Sequence, residues 1–186
     1  MSKGAVTLIV VDMQVGLDDP QYGERCNPNC EVNVRTLLHA WRKAGQPAFF
    51  TRHISLRHGS PLARGSAGTS IKPNVAPAEG EAIFDKSVNS ALKNPCLRDA
   101  IFSIHPRAVV VVGMATDACV TATAREAKDF GYATVVVGEA CATFDRLSPV
   151  GGFYSAAAVH DVALAALAAS GIQICPLSEA VGLVER

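Results

Sequence analysis

An excess of charge is the first thing this sequence lacks. Lys plus Arg number 17 and Asp plus Glu number 17, so the formal charge is zero and no broad surface for nucleic acid or another polyanion is implied. No apolar run reaches membrane-spanning length, because Asp12, Arg35, Lys86 and similar residues interrupt each one. The apolar stretch near the start is short and runs into Asp12-Met13-Gln14 with no small-residue cleavage pattern, so it reads as a buried strand rather than a signal peptide. A cytoplasmic protein without a membrane partner is expected. Six cysteines are present, but a chain of 186 residues can build a substantial core without disulfide staples. Cys26 and Cys30 lie close together, yet no second pair or Cys/His set completes a zinc site. Also missing are G-x-G-x-x-G after the first strand, the P-loop pattern G-x-x-x-x-G-K-[ST] and the serine elbow G-x-S-x-G. Their absence weakens dinucleotide, nucleotide-triphosphate and serine-hydrolase readings.

What is present is an alternation. Strand-like runs fall at Ala5–Asp12, Pro47–His53, Ala108–Gly113, Ala133–Gly138 and Ile172–Cys175, with a shorter one at Ala82–Phe84. They are continuously apolar, as strands buried on both faces should be. Helical patterns lie between them. Asn27-Pro28 offers a cap and first-turn proline, and Val34, Leu37, Leu38 and Trp41 follow at helical spacing up to Gly45. Asn94-Pro95 starts a second helix, Thr116 or Asp117 caps a third that stops at Gly131, and Ala156–Ser170 forms a fourth. Strand and helix in strict alternation predict a single α/β domain over 1–186: a three-layer α/β/α sandwich around a mainly parallel, doubly wound, Rossmann-like sheet. Ser55–Gly80, with four glycines and three prolines, breaks the alternation and is expected to be a lid or an interface element.

Chemistry collects at the strand ends. Val109-Val110-Val111-Val112-Gly113 runs into Met114-Ala115-Thr116-Asp117-Ala118-Cys119, which puts a thiol beyond a buried strand and in the first turn of a helix. Free N–H groups and the helix dipole would favour thiolate there, and open α/β sheets bind ligands at such ends. Asp12 closes the first strand; a capping or loop-orienting role competes with an acid/base one. Lys86, after the third strand, adds a fixed cation. No histidine is an obvious partner for Cys119: His39 and His160 fall within helices and His105 near a helix end. The Asp12 carboxylate, held by Lys86, could take the thiol proton and return it to a leaving nitrogen, while N–H groups of the Cys119 turn stabilise an oxyanion.

These residues carry a resemblance. Val11-Asp12-Met13-Gln14, Lys86 with Val88-Asn89-Ser90-Ala91, Gly113-Met114-Ala115-Thr116-Asp117-Ala118-Cys119-Val120 and Thr121–Ala127 with Gly131-Tyr132 stand in the order seen in isochorismatase-like cysteine hydrolases. That superfamily contains nicotinamidases, N-carbamoylsarcosine amidases, ureidoacrylate amidohydrolases and isochorismatases. The resemblance implies a catalytic triad of Asp12, Lys86 and Cys119, and a cis peptide between Met114 and Ala115 that turns the Ala115 N–H into an oxyanion hole beside that of Cys119. Thr116 would assist there or cap its helix.

Departures narrow the expectation. Metal-binding nicotinamidases have an Asp-x-His after the second strand, where this chain reads His53-Ile54-Ser55. No metal and no other cofactor is expected, although His53 and His58 together could hold an ion weakly. Retention of Cys119 argues against members that have lost the thiol and cleave vinyl ethers. The region from Gly16 to His53 is similar to a metal-independent subgroup, some of whose members open lactams or cleave small amides. Leu17, Tyr22, Arg25, Arg52, His53 and Leu92 are the candidate substrate-binding residues, with Arg52 or Arg25 gripping a substrate carboxylate or carbonyl. The implied activity is thiol-dependent hydrolysis of a small C–N bond in a homo-oligomer. A nicotinamidase, an isochorismatase-type enzyme, a silent binding protein and a thiol redox protein are the alternatives.

Overall fold

The computed structural model describes residues 4–185. Its strands are β1 (Val6–Val11), β2 (Ala48–His53), β3 (Ile83–Lys86), β4 (Ala108–Met114), β5 (Thr134–Ala142), β6 (Arg146–Leu147), β7 (Phe153–Tyr154) and β8 (Gln173–Cys175). Six of them form one sheet in the order β3-β2-β1-β4-β5-β8, every pairing parallel. Every residue of the central strands β1 and β4 is buried, which is why their sequences are apolar without alternation. The order reverses between β1 and β4, so the crevice beyond their carboxyl ends is a topological switch point. The remaining two strands make a small antiparallel hairpin, closed by Gly151 and Gly152 at positive φ.

Helices α1 (Cys30–Lys43), α2 (Pro95–Ile104), α3 (Thr121–Asp129), α4 (Ala156–Ala169) and α5 (Leu177–Gly182) cover the sheet. Packing of α1 on α5, and of α3 on α4, gives the two outer layers of an α/β/α sandwich. Trp41 of α1 is fully buried and meets its polar demand by donating from Nε1 to Val6 O at 2.8 Å. The Asn94 side chain accepts from Leu97 N and caps α2, as the Asn-Pro pair implies. Asn27 does not cap α1. The helix starts three residues later, and Asn27, with φ of 50°, donates from Nδ2 to Gly138 O and Cys141 O at 3.1 and 2.7 Å. Its amide satisfies carbonyls that the irregular end of β5 leaves free, and that demand outweighs capping.

Gly113 is where β4 closes on β1. Its φ is 118°, and a Cβ there would lie 2.1 Å from Val11 O, so no other residue fits. The 55–80 segment is a strap folded against the rim of the sheet. It contains two short 3-10 turns and bridges Gln14 through Ile71. Lys72, 5% exposed, fastens it: Nζ donates to Asp18 Oδ1 at 2.5 Å and Glu31 Oε1 at 2.7 Å.

Candidate active site

Four neighbouring strands each contribute one residue at the carboxyl edge. In spatial order these are Lys86 (end of β3), His53 (end of β2), Asp12 (just past β1) and Cys119 (just past β4). Lys86 Nζ donates to Asp12 Oδ2 at 2.5 Å, to Val88 O at 3.1 Å and to Cys119 Sγ at 3.4 Å. The Thr51 hydroxyl donates to the other carboxylate oxygen, Asp12 Oδ1, at 2.7 Å. Asp12 is held with φ of 49°, a left-handed conformation unusual for a residue with a side chain and common at functional sites. Asp12 and Lys86 are buried to 2% and 6% exposure. A pair this deep is tolerated only because each partner satisfies the other.

Cys119 lies in a wide helical turn, Thr116–Val120, that leads into α3. The peptide between Met114 and Ala115 is cis, and Val120 N donates back to Ala115 O at 3.1 Å. Burial and the neighbouring Asp12 carboxylate push the Cys119 thiol up to about 12, which outweighs the favourable Lys86 charge. The helix-terminus argument for a resting thiolate therefore does not hold here; desolvation and a like-charged neighbour win. Such a thiol must lose its proton during attack, to a base beside it.

The helix cap expected at Thr116 or Asp117 is also corrected. No side chain caps this turn. Thr116 is fully buried and its Oγ1 lies 2.9 Å from Nδ1 of His160, a buried residue of α4 whose Nε2 is 3.4 Å from Asn27 Nδ2. Asp117 accepts from Arg146 at 3.1 and 3.2 Å and from the Thr143 hydroxyl.

A cavity of about 360 Å³ opens above the thiol, lined by Asp12, Ala115 and Cys119 together with Leu17, Tyr22 and His53. Arg25, Arg52, Leu92 and Thr116, also expected to bind substrate, do not line it. Arg25 is engaged bidentately by Glu31 at 2.5 and 3.1 Å, and Arg52 by Asp85 at 2.7 and 3.0 Å. Leu92 is a core residue. Residues that sequence reasoning missed complete the wall: Ser55, Arg57, Ser60 and Leu62 from the strap, and Asn89, Met114, Ala118, Phe144 and Arg146. Phe144 and Arg146 follow β5, so the strand-end rule applied to that strand would have found them. Glycines and prolines marked the 55–80 segment as a whole, but nothing local singled out these four residues within it.

Donor atoms of Asp12, His53 and Cys119 lie within 4.8 Å of one another, the geometry of a possible metal site. The Lys86 ammonium already occupies the space between two of them and would oppose a dication, and His58 is exposed elsewhere on the strap. This donor set does not fit a resident divalent ion.

Fold and site together define a doubly wound α/β protein with thiol, carboxylate and ammonium gathered at the switch point. The family model for the isochorismatase domain matches residues 6–178. The chain is 32% identical over 160 residues to the isochorismatase-family protein YrdC of Bacillus subtilis, covering 86% of each chain. It is 29% identical over 155 residues to Nicotinamidase 3 of Arabidopsis thaliana, covering 75% of this chain and 74% of that one. A crystal structure of a protein from Chromobacterium violaceum assigned to the isochorismatase family of hydrolases superposes with a TM-score of 0.91 at 33% identity, covering 98% and 94% of the two chains. This chain belongs to the isochorismatase family and is a hydrolase of that family. No helix among the described residues is long and apolar enough to cross a membrane.

Proposed function

We propose that the protein hydrolyses the C–N bond of a small amide, carbamoyl or lactam substrate through a thioester on Cys119. One observation carries this reading: a single ammonium, Lys86 Nζ, contacts both Asp12 Oδ2 at 2.5 Å and Cys119 Sγ at 3.4 Å, and both of those residues line the cavity. The Asp12 carboxylate takes the thiol proton as sulfur attacks the carbonyl carbon, so no free thiolate accumulates. Lys86 keeps the carboxylate in place and is close enough to stabilise negative charge on sulfur. Ala115 and Cys119 both line the cavity, and their N–H groups stabilise the oxyanion in this reading. Collapse of the tetrahedral intermediate breaks the C–N bond, and protonated Asp12 returns its proton to the leaving nitrogen. Water, deprotonated by Asp12, then attacks the thioester; the acid leaves and the thiol is restored. A cytosolic setting suits a chemistry that needs Cys119 reduced.

The test is ammonia, amine or ring-opened product release from a panel of nicotinamide, carbamoyl amino acids, ureido acids and lactams. Wild type and Cys119→Ala are run side by side, with and without a chelator, and quenched reactions are examined by intact mass. Chelator-resistant turnover, an acyl adduct on Cys119 and loss of both in the variant are expected. Turnover that survives Cys119→Ala would refute the thioester.

A further inference from the structure

The thiol decides which bond is attacked; the charge of the cavity wall decides what else the substrate must carry. Among the described residues, the wall carries one carboxylate, Asp12, two guanidinium groups, Arg146 and Arg57, and the His53 imidazole, beside the Cys119 thiol and the Tyr22 phenol. Asp12 is neutralised by Lys86. Arg146 is neutralised by Asp117, which takes its Nε and Nη2, while Asp145 O takes Nη1 at 3.1 Å. Burial, and then the Lys86 charge, lower the His53 pKa below its ordinary value, so that ring adds no charge at neutral pH. Arg57 alone stands without a carboxylate. Among the described residues its one side-chain hydrogen bond runs from Nη2 to the neutral amide Oε1 of Gln21 at 3.2 Å, and it forms no ion pair.

We infer that Arg57 is the anion anchor of this cavity and that the substrate is a small monocarboxylate bearing its amide or carbamoyl group at the opposite end. The inference rests on the hydrolase reading above and deepens it. Arg57 stands on a closed turn: its N–H donates to Ser55 Oγ at 3.2 Å, its carbonyl accepts from Ser60 N at 3.3 Å, and Ser55 N donates to Leu62 O at 2.8 Å. Contact with Gln21 joins this turn to the segment that carries Leu17 and Tyr22, so the guanidinium is positioned at the cavity while most of its five donors remain for a forked carboxylate contact. Leu17, Tyr22, Leu62 and Phe144 supply apolar wall, with the Tyr22 and Phe144 rings 5.3 Å apart. That wall suits a short hydrocarbon spacer or a single ring, and a volume near 360 Å³ is at the small end for ligand pockets. Of the other arginines considered for this task, Arg25 and Arg52 each already hold a carboxylate of the protein.

The experiment is calorimetric binding to Cys119→Ala enzyme of succinamate, N-carbamoylglycine and 4-carbamoylbenzoate. Each is set beside a neutral counterpart in which a methyl ketone replaces the carboxylate. At least one carboxylate should bind about 10-fold or more tighter than its counterpart, a preference weakened by salt. Arg57→Gln should erase the preference and Arg57→Lys should retain part of it. Equal binding of charged and neutral members, no binding of any, or a preference that survives Arg57→Gln would each overturn the inference. Parallel turnover by wild type separates the two readings. Hydrolysis of neutral members alone refutes the anion anchor and leaves the hydrolase, whereas Arg57-dependent binding without product refutes the amide chemistry and leaves the anchor.

Discussion

Removing Lys86 tests the centre of the site most directly. The ammonium sits 2.5 Å from Asp12 Oδ2, and the two side chains are 1% and 2% exposed. At that separation and an effective dielectric near 20, the gross attraction is about 7 kcal/mol, most of it offset by the cost of desolvating both ions. Replacing Lys86 by Met leaves the carboxylate buried without its cation, with the Thr51 hydroxyl still donating to Oδ1, and breaking a pair of this kind costs about 3–5 kcal/mol. For a chain of this length that is a fall in Tm of roughly 6–20 °C. Asp12→Asn leaves the opposite orphan, a buried ammonium, and should cost a similar amount. Combining Asp12→Asn with Lys86→Met removes both charges. The double variant should therefore be more stable than either single one, with a coupling of at least about 2 kcal/mol. Urea unfolding of the four proteins at pH 8 measures the cycle. Additivity within about 0.5 kcal/mol, or a Lys86→Met protein as stable as wild type, would refute the account of the site as a mutually dependent buried pair.

Three further expectations follow from other parts of the molecule. Burial alone would raise the Glu31 carboxyl, but bonds from Arg25 and Lys72 hold it at about 2; because the folded value lies below the unfolded one, the strap fastening contributes up to about 3 kcal/mol above pH 4.5 that is lost as pH falls toward 2, and Glu31→Gln should flatten denaturant-measured stability across that window. Asp12 helps hold the Cys119 thiol near 12, so Asp12→Asn should speed iodoacetamide alkylation of Cys119 at pH 8 while abolishing the proposed hydrolysis; slower alkylation, followed by mass, would count against the electrostatic account. A Cβ at Gly113 would meet Val11 O at 2.1 Å, whereas one at Gly45 meets nothing, so Gly113→Ala should cost more than about 3 kcal/mol and Gly45→Ala about 1, read as soluble yield and Tm.

Much of the architecture could be read along the chain because its causes are local. A strand buried on both faces must be apolar at every position, so β1 and β4 announced themselves, whereas β3, an edge strand with exposed residues, was legible only as a short run and extends to Lys86 itself. The hairpin of β6 and β7 and the short helix α5 were not anticipated, since neither carries a periodic apolar pattern long enough to register. Asp12, Lys86 and Cys119 were found because each is an ionisable or nucleophilic residue at a strand end, a position defined by local pattern. Of the residues expected to bind substrate, Leu17, Tyr22 and His53 line the cavity, whereas Arg25, Arg52, Leu92 and Thr116 do not. An arginine in sequence does not declare its partner: Arg25 and Arg52 turned out to be held by Glu31 and Asp85, while Arg57 meets only the neutral amide of Gln21 among the described residues.

What the sequence by itself determined is therefore the alternation of strand and helix, the parallel sheet and the three reactive groups at its carboxyl edge. These depend on periodicity, on glycine and proline punctuation and on side-chain chemistry, all of which act within a few residues. Only the tertiary structure decided that residues 74 apart in sequence, Lys86 and Asp12, meet, that burial holds the thiol protonated, and that the strap places Arg57 at the cavity wall. Charge pairing and desolvation depend on distance through space, and a chain's order does not encode that distance until it folds.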